Sequence, residues 1–138
     1  MRLLVLATIL IISSASGPIA QAQDRWEQLP PTPSLPKPER SGMAPLNGIR
    51  LWYATFGQGA PVILVHGGLA NSDYWGLQVA ALAQRYRVIV LDSRGHGRST
   101  RTKTPITYDL MSSDVLALMD FLHLEKAALV GWSDGAII

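Results

Sequence analysis

The sequence lacks cysteine and has few charged residues. Without cysteine among its 138 residues, it can form neither a disulfide framework nor a thiolate metal site. Charged residues make up 16% of the chain, the formal net charge is +2, and no basic cluster occurs, so we expect no nucleic-acid partner. Hydrophobic residues account for 48%, which is enough to bury the core of one modest domain.

The N-terminus shows the three-part pattern of a secretory signal peptide. A basic start of two residues precedes an apolar run over 3–12 and a small, polar stretch that ends in an A-x-A cleavage motif at Ala22. Ten apolar residues in a helix span about 15 Å, half of a bilayer core, which argues against a membrane anchor. We therefore expect a signal peptide over 1–22 and export to the periplasm or the medium, with no stable membrane anchor after cleavage.

The next segment, residues 23–44, is rich in proline. Proline lacks a backbone N–H and favours the polyproline II conformation, so the segment predicts a linker. A ligand for a proline-recognition domain is the alternative interpretation. The folded domain is then expected over 45–138, with its first ordered residues near Leu46.

Short apolar runs alternate with amphipathic segments along this domain. Asn47 and Gly48 predict a tight hairpin turn. Continuous apolar runs are typical of parallel strands that are covered on both faces. The predicted strands are one after the turn, at 49–56, and three buried ones at 61–65, 88–91 and 127–130.

Helices are predicted between these strands. Ser72 can cap a helix that runs to about Arg85, and Thr107 can cap the next one. The second helix presents one apolar face, formed by Leu110, Met111, Val115, Leu118, Met119 and Leu122. The alternation predicts an α/β fold with a mostly parallel sheet, right-handed crossovers and flanking helices.

The pentapeptide Gly131-Trp132-Ser133-Asp134-Gly135 fits the pattern G-x-S-x-G. It follows the last apolar run directly and precedes residues that can start a helix, which is the setting of a nucleophile elbow. In such an elbow Ser133 occupies a strained turn, and the two glycines stand where backbone passes too close for a Cβ atom. The alternative is a glycine-rich loop with an exposed serine.

Two upstream loops complete a resemblance to the α/β-hydrolase-fold family. His-Gly-Gly at 66–68 resembles the family's H-G loop, and D-S-R-G-H-G-R-S at 92–99 resembles its D-x-R-G-x-G-x-S loop. With the elbow, the three blocks match in order and spacing over residues 46–138. The resemblance implies a partial α/β-hydrolase fold, the N-terminal half, which stops after the elbow.

The resemblance also implies roles for residues of a catalytic site. Ser133 is the expected nucleophile, and the backbone N–H groups of Gly68 and Asp134 are the expected oxyanion-hole donors. Such donors stabilise the charge that develops on a carbonyl oxygen, each by about 3–4 kcal/mol. Leu69 is the fallback donor and, with Asp134, a candidate substrate contact.

The three histidines do not match the family's general base. His66 is expected to shape the oxyanion loop, His96 to support the neighbouring loop, and His123 to lie on the surface at a helix end. The family's chain order is Ser, acid, His, and after Ser133 this chain has only five residues. We therefore expect a fragment of a longer protein whose acid and histidine lie beyond it, and a chain that is poorly folded and inactive alone.

The expected function is that of a serine hydrolase acting on small carboxylic esters, without a metal or another cofactor. Haloalkane dehalogenases and epoxide hydrolases of the family carry an aspartate at the elbow, so Ser133 argues against both. Perhydrolase (haloperoxidase) and acyltransferase activities use the same serine chemistry and stay open. So does a non-catalytic pseudoenzyme or binding module.

Asp134 supports two interpretations. An acid at the start of a helix is favourable by about 0.3–1 kcal/mol. The sequence G-W-S-D-G is also similar to the elbow of valacyclovir-hydrolase-like (biphenyl-hydrolase-like) enzymes. That resemblance implies that Asp134 pairs with the amino group of an amino-acid ester.

Overall fold

The computed structural model describes residues 31–138, which form a five-stranded sheet with helices on it. The predicted signal peptide and the first part of the predicted linker lie outside the described residues. The strands are β1 (Arg40–Leu46), β2 (Ile49–Phe56), β3 (Ala60–Val65), β4 (Tyr86–Leu91) and β5 (Ala128–Gly131). The α-helices are α1 (Gly76–Leu82) and α2 (Tyr108–Phe121), and single 3-10 turns occupy Ser72–Trp75 and Ser133–Ala136.

The strand order in the sheet is β1-β2-β4-β3-β5. Strand β3 pairs in parallel with β4 on one side and with β5 on the other, while β2 runs antiparallel to both β1 and β4. Each parallel neighbour is reached through a segment that contains a helix. The predicted α/β fold is therefore confirmed, with an antiparallel hairpin added to three parallel strands.

The hairpin between β1 and β2 is confirmed at the predicted turn. Leu46 pairs with Ile49, and the two residues between them both have positive φ, 43° at Asn47 and 74° at Gly48. This is the backbone of a type I′ turn, whose twist matches that of the flanking strands.

The start of the domain differs from the prediction. Strand β1 begins at Arg40, so residues 40–44 of the predicted linker belong to the sheet, and Ala44 is fully buried. The prediction extended the linker too far from the prolines at 30–38, and the proline within β1, Pro45, is tolerated because β1 lies at the edge of the described sheet.

Residues 31–38, also part of the predicted linker, lie on the domain. Leu35 packs against the apolar cluster beneath α1. The Ser34 carbonyl oxygen comes so close to Gly76 that a Cβ there would lie only 2.5 Å away. The described end of the proline-rich segment is therefore in contact with the first residue of α1.

The helix predicted from Ser72 to Arg85 is shorter and is capped differently. Asn71 is the capping residue, since its side chain accepts a 2.8 Å hydrogen bond from the N–H of Asp73. The Ser72 hydroxyl instead donates to Asp92, at 2.6 Å. By contrast, the predicted Thr107 cap of α2 is confirmed, because its hydroxyl accepts from the N–H of Leu110.

Two apolar clusters cover the faces of the sheet. Alternate residues of the parallel strands point into each cluster, as for Ile63 and Leu64 of β3, both fully buried. One cluster includes α2 and the other α1. Strand β5 is the edge of the described sheet, and its Leu129 and Val130 are 57% and 42% exposed. Between residues 31 and 138, no helix has the length and apolarity needed to cross a membrane.

Candidate active site

Ser133 lies in a sharp turn between β5 and the last 3-10 turn. Its φ is 50°, in the left-handed region that side chains other than glycine rarely occupy. Such backbone costs about 1–3 kcal/mol and persists where the surrounding structure enforces it. Here the short β5, parallel to β3, carries Ser133 to the C-terminal edge of the sheet.

The two glycines of the pentapeptide are required by close backbone contacts. A Cβ on Gly131 would collide with the carbonyl oxygen of Gly135. A Cβ on Gly135 would collide with the carbonyl oxygen of Val65, at the end of β3. The G-x-S-x-G spacing thus allows the turn to close on itself and to pack against the central strand.

The loop after β3 lies directly against this turn. A Cβ on Gly67 would lie 3.0 Å from the Cβ of Ser133 and 2.8 Å from the Trp132 ring. A Cβ on Gly68 would collide with the carboxylate of Asp134. The structure therefore brings together Gly68, Ser133 and Asp134, which the sequence assigned to one site.

The backbone N–H groups of Gly68 and Asp134 are the proposed oxyanion donors. Within residues 31–138, neither group donates a hydrogen bond to another residue. Leu69 follows with a φ of 60°. Its side chain is fully exposed, so it packs against no other described residue.

The two residues next to Ser133 in the chain, Trp132 and Asp134, each line a separate cavity. Trp132 lines a cavity of about 380 Å³ together with Tyr74, Trp75 and Gln78. Asp134 lines one of about 310 Å³, whose other residues are His96, Ile106, Thr107, Tyr108 and Met111.

Asp134 has one hydrogen-bond partner in the second cavity, Tyr108. The Tyr108 hydroxyl donates to Oδ1 of Asp134 at 2.8 Å. This bond to the carboxylate raises the pKa of Tyr108 above its ordinary value, because the neutral phenol is the donor. The sequence analysis did not identify Tyr108, since no motif joins two residues that are far apart in the chain.

His66 holds the loop after β3 through both ring nitrogens. Nδ1–H donates to the Gly67 carbonyl oxygen at 2.7 Å, and Nε2 accepts from the N–H of Ser93 at 2.9 Å. The ring is buried, and this burial lowers its pKa below the ordinary value of 6.5. With no free nitrogen, neutral His66 has a geometry that agrees with the shaping role expected of it.

The lowered pKa of His66 predicts how stability depends on pH. Below pH 6.5 the unfolded chain binds a proton at this histidine before the folded chain does, so the free energy of unfolding falls as the pH falls through that range. Above it, the contribution of His66 is constant. An NMR titration of the full-length protein should show His66 titrating below 6.5, and titration at or above that value would contradict the buried, neutral ring.

The other two histidines, His96 and His123, form no hydrogen bond with His66 among the described residues. His96 Nδ1–H donates to the Arg94 carbonyl oxygen at 3.0 Å, and its ring meets that of His66 edge to face at 5.2 Å between centroids. His123 is exposed in the turn that ends α2. Among the described residues, no histidine forms a hydrogen bond with Ser133.

The loop at 92–99 is a scaffold beside the site. Asp92 is fully buried, and its carboxylate accepts hydrogen bonds from the backbone and hydroxyl of Ser72 and from the backbone and guanidinium of Arg98. Ser99 donates to the Asp92 carbonyl oxygen and accepts from the N–H of Trp52. These bonds tie the loop to the hairpin and to the first 3-10 turn.

A buried ion pair joins the same loop to α2. Arg94 and Asp114 form two hydrogen bonds, of 2.8 Å from Nε and 2.7 Å from Nη2, and both residues are almost fully buried. Asn47 of the hairpin turn adds a third, from its side-chain amide to Asp114. The start of α2, which carries Tyr108, is thus part of a helix held firmly against the loop. In the described part of the chain, no group of three or more acidic or histidine side chains could hold a metal ion.

Comparison with known proteins gives consistent matches. The family model described as alpha/beta hydrolase fold matches residues 60–138. The chain is 37% identical over 91 residues to 3-oxoadipate enol-lactonase 2 of Acinetobacter baylyi, covering 64% of this chain and 34% of the relative. It is 37% identical over 90 residues to a non-heme chloroperoxidase of Kitasatospora aureofaciens, covering 64% and 33%.

Among solved structures, the epoxide hydrolase VrEH1 of Vigna radiata superposes with a TM-score of 0.68 at 30% identity, covering 71% of this chain and 33% of that one. The chain spans about a third of the length of the curated relatives that it matches.

Proposed function

The chain belongs to the alpha/beta hydrolase fold family, and on that premise we propose that it carries the nucleophile of a serine hydrolase acting on carboxylic esters. One observation supports this most strongly. Ser133 stands in a left-handed turn, beside two backbone N–H groups that the described residues leave unused. A serine hydroxyl at such a place can attack a carbonyl carbon while the N–H groups bind its oxygen.

The proposed reaction proceeds by acyl transfer to serine. The Ser133 oxygen forms a bond to the carbonyl carbon and gives its proton to a general base, and the N–H groups of Gly68 and Asp134 bind the oxyanion. Expulsion of the alcohol, which takes up the proton, leaves an acyl-enzyme that water hydrolyses. His66 uses both ring nitrogens, and no histidine of residues 31–138 forms a hydrogen bond with Ser133, so the proposal assigns the role of general base to none of the described histidines.

The side chain at the elbow favours esters over epoxides. Attack of a serine hydroxyl on an epoxide would leave an ether, which water does not readily cleave, whereas attack on an ester leaves a new ester. The matched epoxide hydrolase therefore supports the fold, and the matched enol-lactonase, which acts on a lactone, supports the proposed chemistry. A non-catalytic binding module remains the contrasting hypothesis.

Peroxide and alcohol acceptors define a second candidate function. A perhydrolase or an acyltransferase forms the same acyl-serine and passes the acyl group to hydrogen peroxide or to an alcohol instead of water. The match to a chloroperoxidase favours testing this candidate. It differs from the hydrolase only in the acceptor.

The carboxylate of Asp134 adds a proposal about the substrate. Asp134 lines the 310 Å³ cavity, and none of the ion pairs formed by residues 31–138 includes it. A protonated amine is the ligand group that would complement this carboxylate. We therefore propose amino-acid esters as preferred substrates.

Pre-steady-state hydrolysis of an activated ester by the full-length protein tests the acyl-enzyme. We expect a burst of alcohol equal to the enzyme concentration, because the acyl-serine accumulates before water releases the acid. Added hydrogen peroxide should not compete efficiently with water, and a large yield of peracid would favour the perhydrolase. The absence of any ester turnover, with or without peroxide, would support the non-catalytic hypothesis.

Replacing Asp134 with alanine tests the substrate proposal. We expect the variant to lose its preference for amino-acyl esters over plain acyl esters, since the substrate ammonium would lose the carboxylate that pairs with it. Equal losses for both ester classes would contradict the role of the carboxylate in amine recognition.

A further inference from the structure

Tyr108 makes a contact with the site that the reaction does not explain. It is the first residue of α2, its side chain is 44% exposed, and its hydroxyl donates to Oδ1 of Asp134. The two residues come from separate elements on either side of the 310 Å³ cavity. Because the tyrosine is exposed, water could form hydrogen bonds with its hydroxyl in place of Asp134, so the bond is not required to satisfy a buried polar group.

The bond fixes one side of the Asp134 carboxylate while the oxyanion loop limits the other. Oδ1 accepts from Tyr108, and Oδ2 lies so close to Gly68 that a Cβ there would collide with it. The carboxylate is therefore held between α2 and the loop. The backbone N–H of the same aspartate is a proposed oxyanion donor. The proposal therefore puts the reacting carbonyl next to Asp134, and the restrained carboxylate would keep a fixed distance from it.

No lysine or arginine is among the described residues that line this cavity. Its remaining walls are the apolar side chains of Ile106 and Met111, the residue Thr107, and His96. One nitrogen of His96 already donates to a backbone carbonyl oxygen. A cationic group that enters the cavity thus meets a carboxylate with one oxygen occupied and an apolar surface for its carbon atoms.

We propose that Tyr108 is a positioning residue that gives the site its selectivity for esters bearing a protonated amine near the carbonyl. The inference rests on the proposed amine recognition by Asp134. Tyr108 acts through the carboxylate: its hydroxyl orients Asp134 toward the cavity so that the ammonium is bound without rearrangement. Without the hydroxyl, the carboxylate loses this restraint and binding of the ammonium weakens.

The Tyr108→Phe variant of the full-length protein tests this role on a matched pair of substrates. The two substrates are an amino-acid ester and its N-acetylated form, which differ in the charge of one group. We expect the ratio of their kcat/KM values to fall about fivefold to tenfold, chiefly through a higher KM for the charged ester, which is the size of effect expected for loss of one ordinary intramolecular hydrogen bond. Tyr86→Phe is the control, because Tyr86 is a similarly exposed tyrosine at the start of β4, at the opposite end of the sheet.

A titration gives an independent readout. In the Asp134→Asn variant, the pKa of Tyr108 should move down toward its ordinary value, followed by the ultraviolet absorbance of tyrosinate and assigned by its loss in Tyr108→Phe. An unchanged tyrosine titration would overturn the contact on which the inference depends.

These outcomes distinguish the role of Tyr108 from amine recognition by Asp134 and from the proposed serine hydrolase activity. If Tyr108→Phe leaves the substrate ratio unchanged or lowers both rates equally while Asp134→Ala removes the preference, Tyr108 has no selective role and amine recognition stands. If neither variant alters the ratio, amine recognition fails as well. A burst with plain esters would still support the serine hydrolase in both cases.

Discussion

Replacement of Ser133 with alanine is expected to lower kcat/KM for ester hydrolysis by about 10⁴-fold or more. Loss of the nucleophile removes the covalent route, and what is left comes from binding and from the oxyanion donors alone. The backbone at φ 50° is occupied by a residue with a Cβ in both proteins, so the turn should persist. The measurement is steady-state hydrolysis of one activated ester by the purified full-length protein.

Ser112→Ala provides the matched control for this substitution. Ser112 lies in α2, and its hydroxyl donates only to the backbone oxygen of Asp109. We expect its rate to stay within about twofold of the unmodified protein, since it lies on a different element. A Ser133→Ala rate within tenfold of the unmodified protein, with an unchanged melting temperature, would exclude Ser133 as the nucleophile.

The second large effect is expected at the buried pair of Arg94 and Asp114. Asp114→Ala leaves the guanidinium buried without its carboxylate, so we expect the free energy of unfolding to fall by about 3–5 kcal/mol. Asp109→Ala, at an exposed acid in the first turn of the same helix, should cost no more than about 1 kcal/mol. Denaturant unfolding of the full-length proteins measures both changes.

A double variant separates the unpaired charge from the loss of the pair. Replacing Arg94 with Met and Asp114 with Leu removes both charges, and we expect most of the stability to return. A loss below about 1 kcal/mol for Asp114→Ala alone would show that the pair does not anchor the loop at 92–99 to α2. The hydrolysis of amino-acid esters by the Asp114→Ala variant is also expected to fall, because α2 carries Tyr108.

Local signals in the sequence were enough for strands β2 to β5 and for the elbow. The apolar runs gave β3 and β4 because these parallel strands are buried on both faces and contain few polar residues, while β5 is an apolar run at the exposed edge of the described sheet. The elbow was recognisable because its two glycines keep a fixed spacing, which close backbone contacts within the turn and with Val65 of β3 require. Gly131 meets Gly135, four residues further on.

Features that depend on distant side chains were not predicted. Tyr108 bonds to a residue 26 positions away, and Arg94 to one 20 positions away, and neither pair has a local pattern. Ser72 was assigned to a helix cap because serine is common at that position. In the structure its hydroxyl instead donates a short, charge-assisted hydrogen bond of 2.6 Å to the buried carboxylate of Asp92. Strand β1 was missed because the proline content of the preceding residues predicted a linker as far as residue 44, whereas pairing with β2 orders the chain from Arg40.

Reaction of the full-length protein with an activated alkylphosphonate, followed by its crystal structure, tests most directly that Ser133 is a nucleophile beside an oxyanion hole. The serine oxygen would displace the leaving group at phosphorus and form a stable adduct. We predict that Ser133 carries the phosphonyl group, with its oxygen about 2.7–3.1 Å from the backbone nitrogens of Gly68 and Asp134. An adduct on another residue, or a phosphonyl oxygen directed away from both N–H groups, would contradict this.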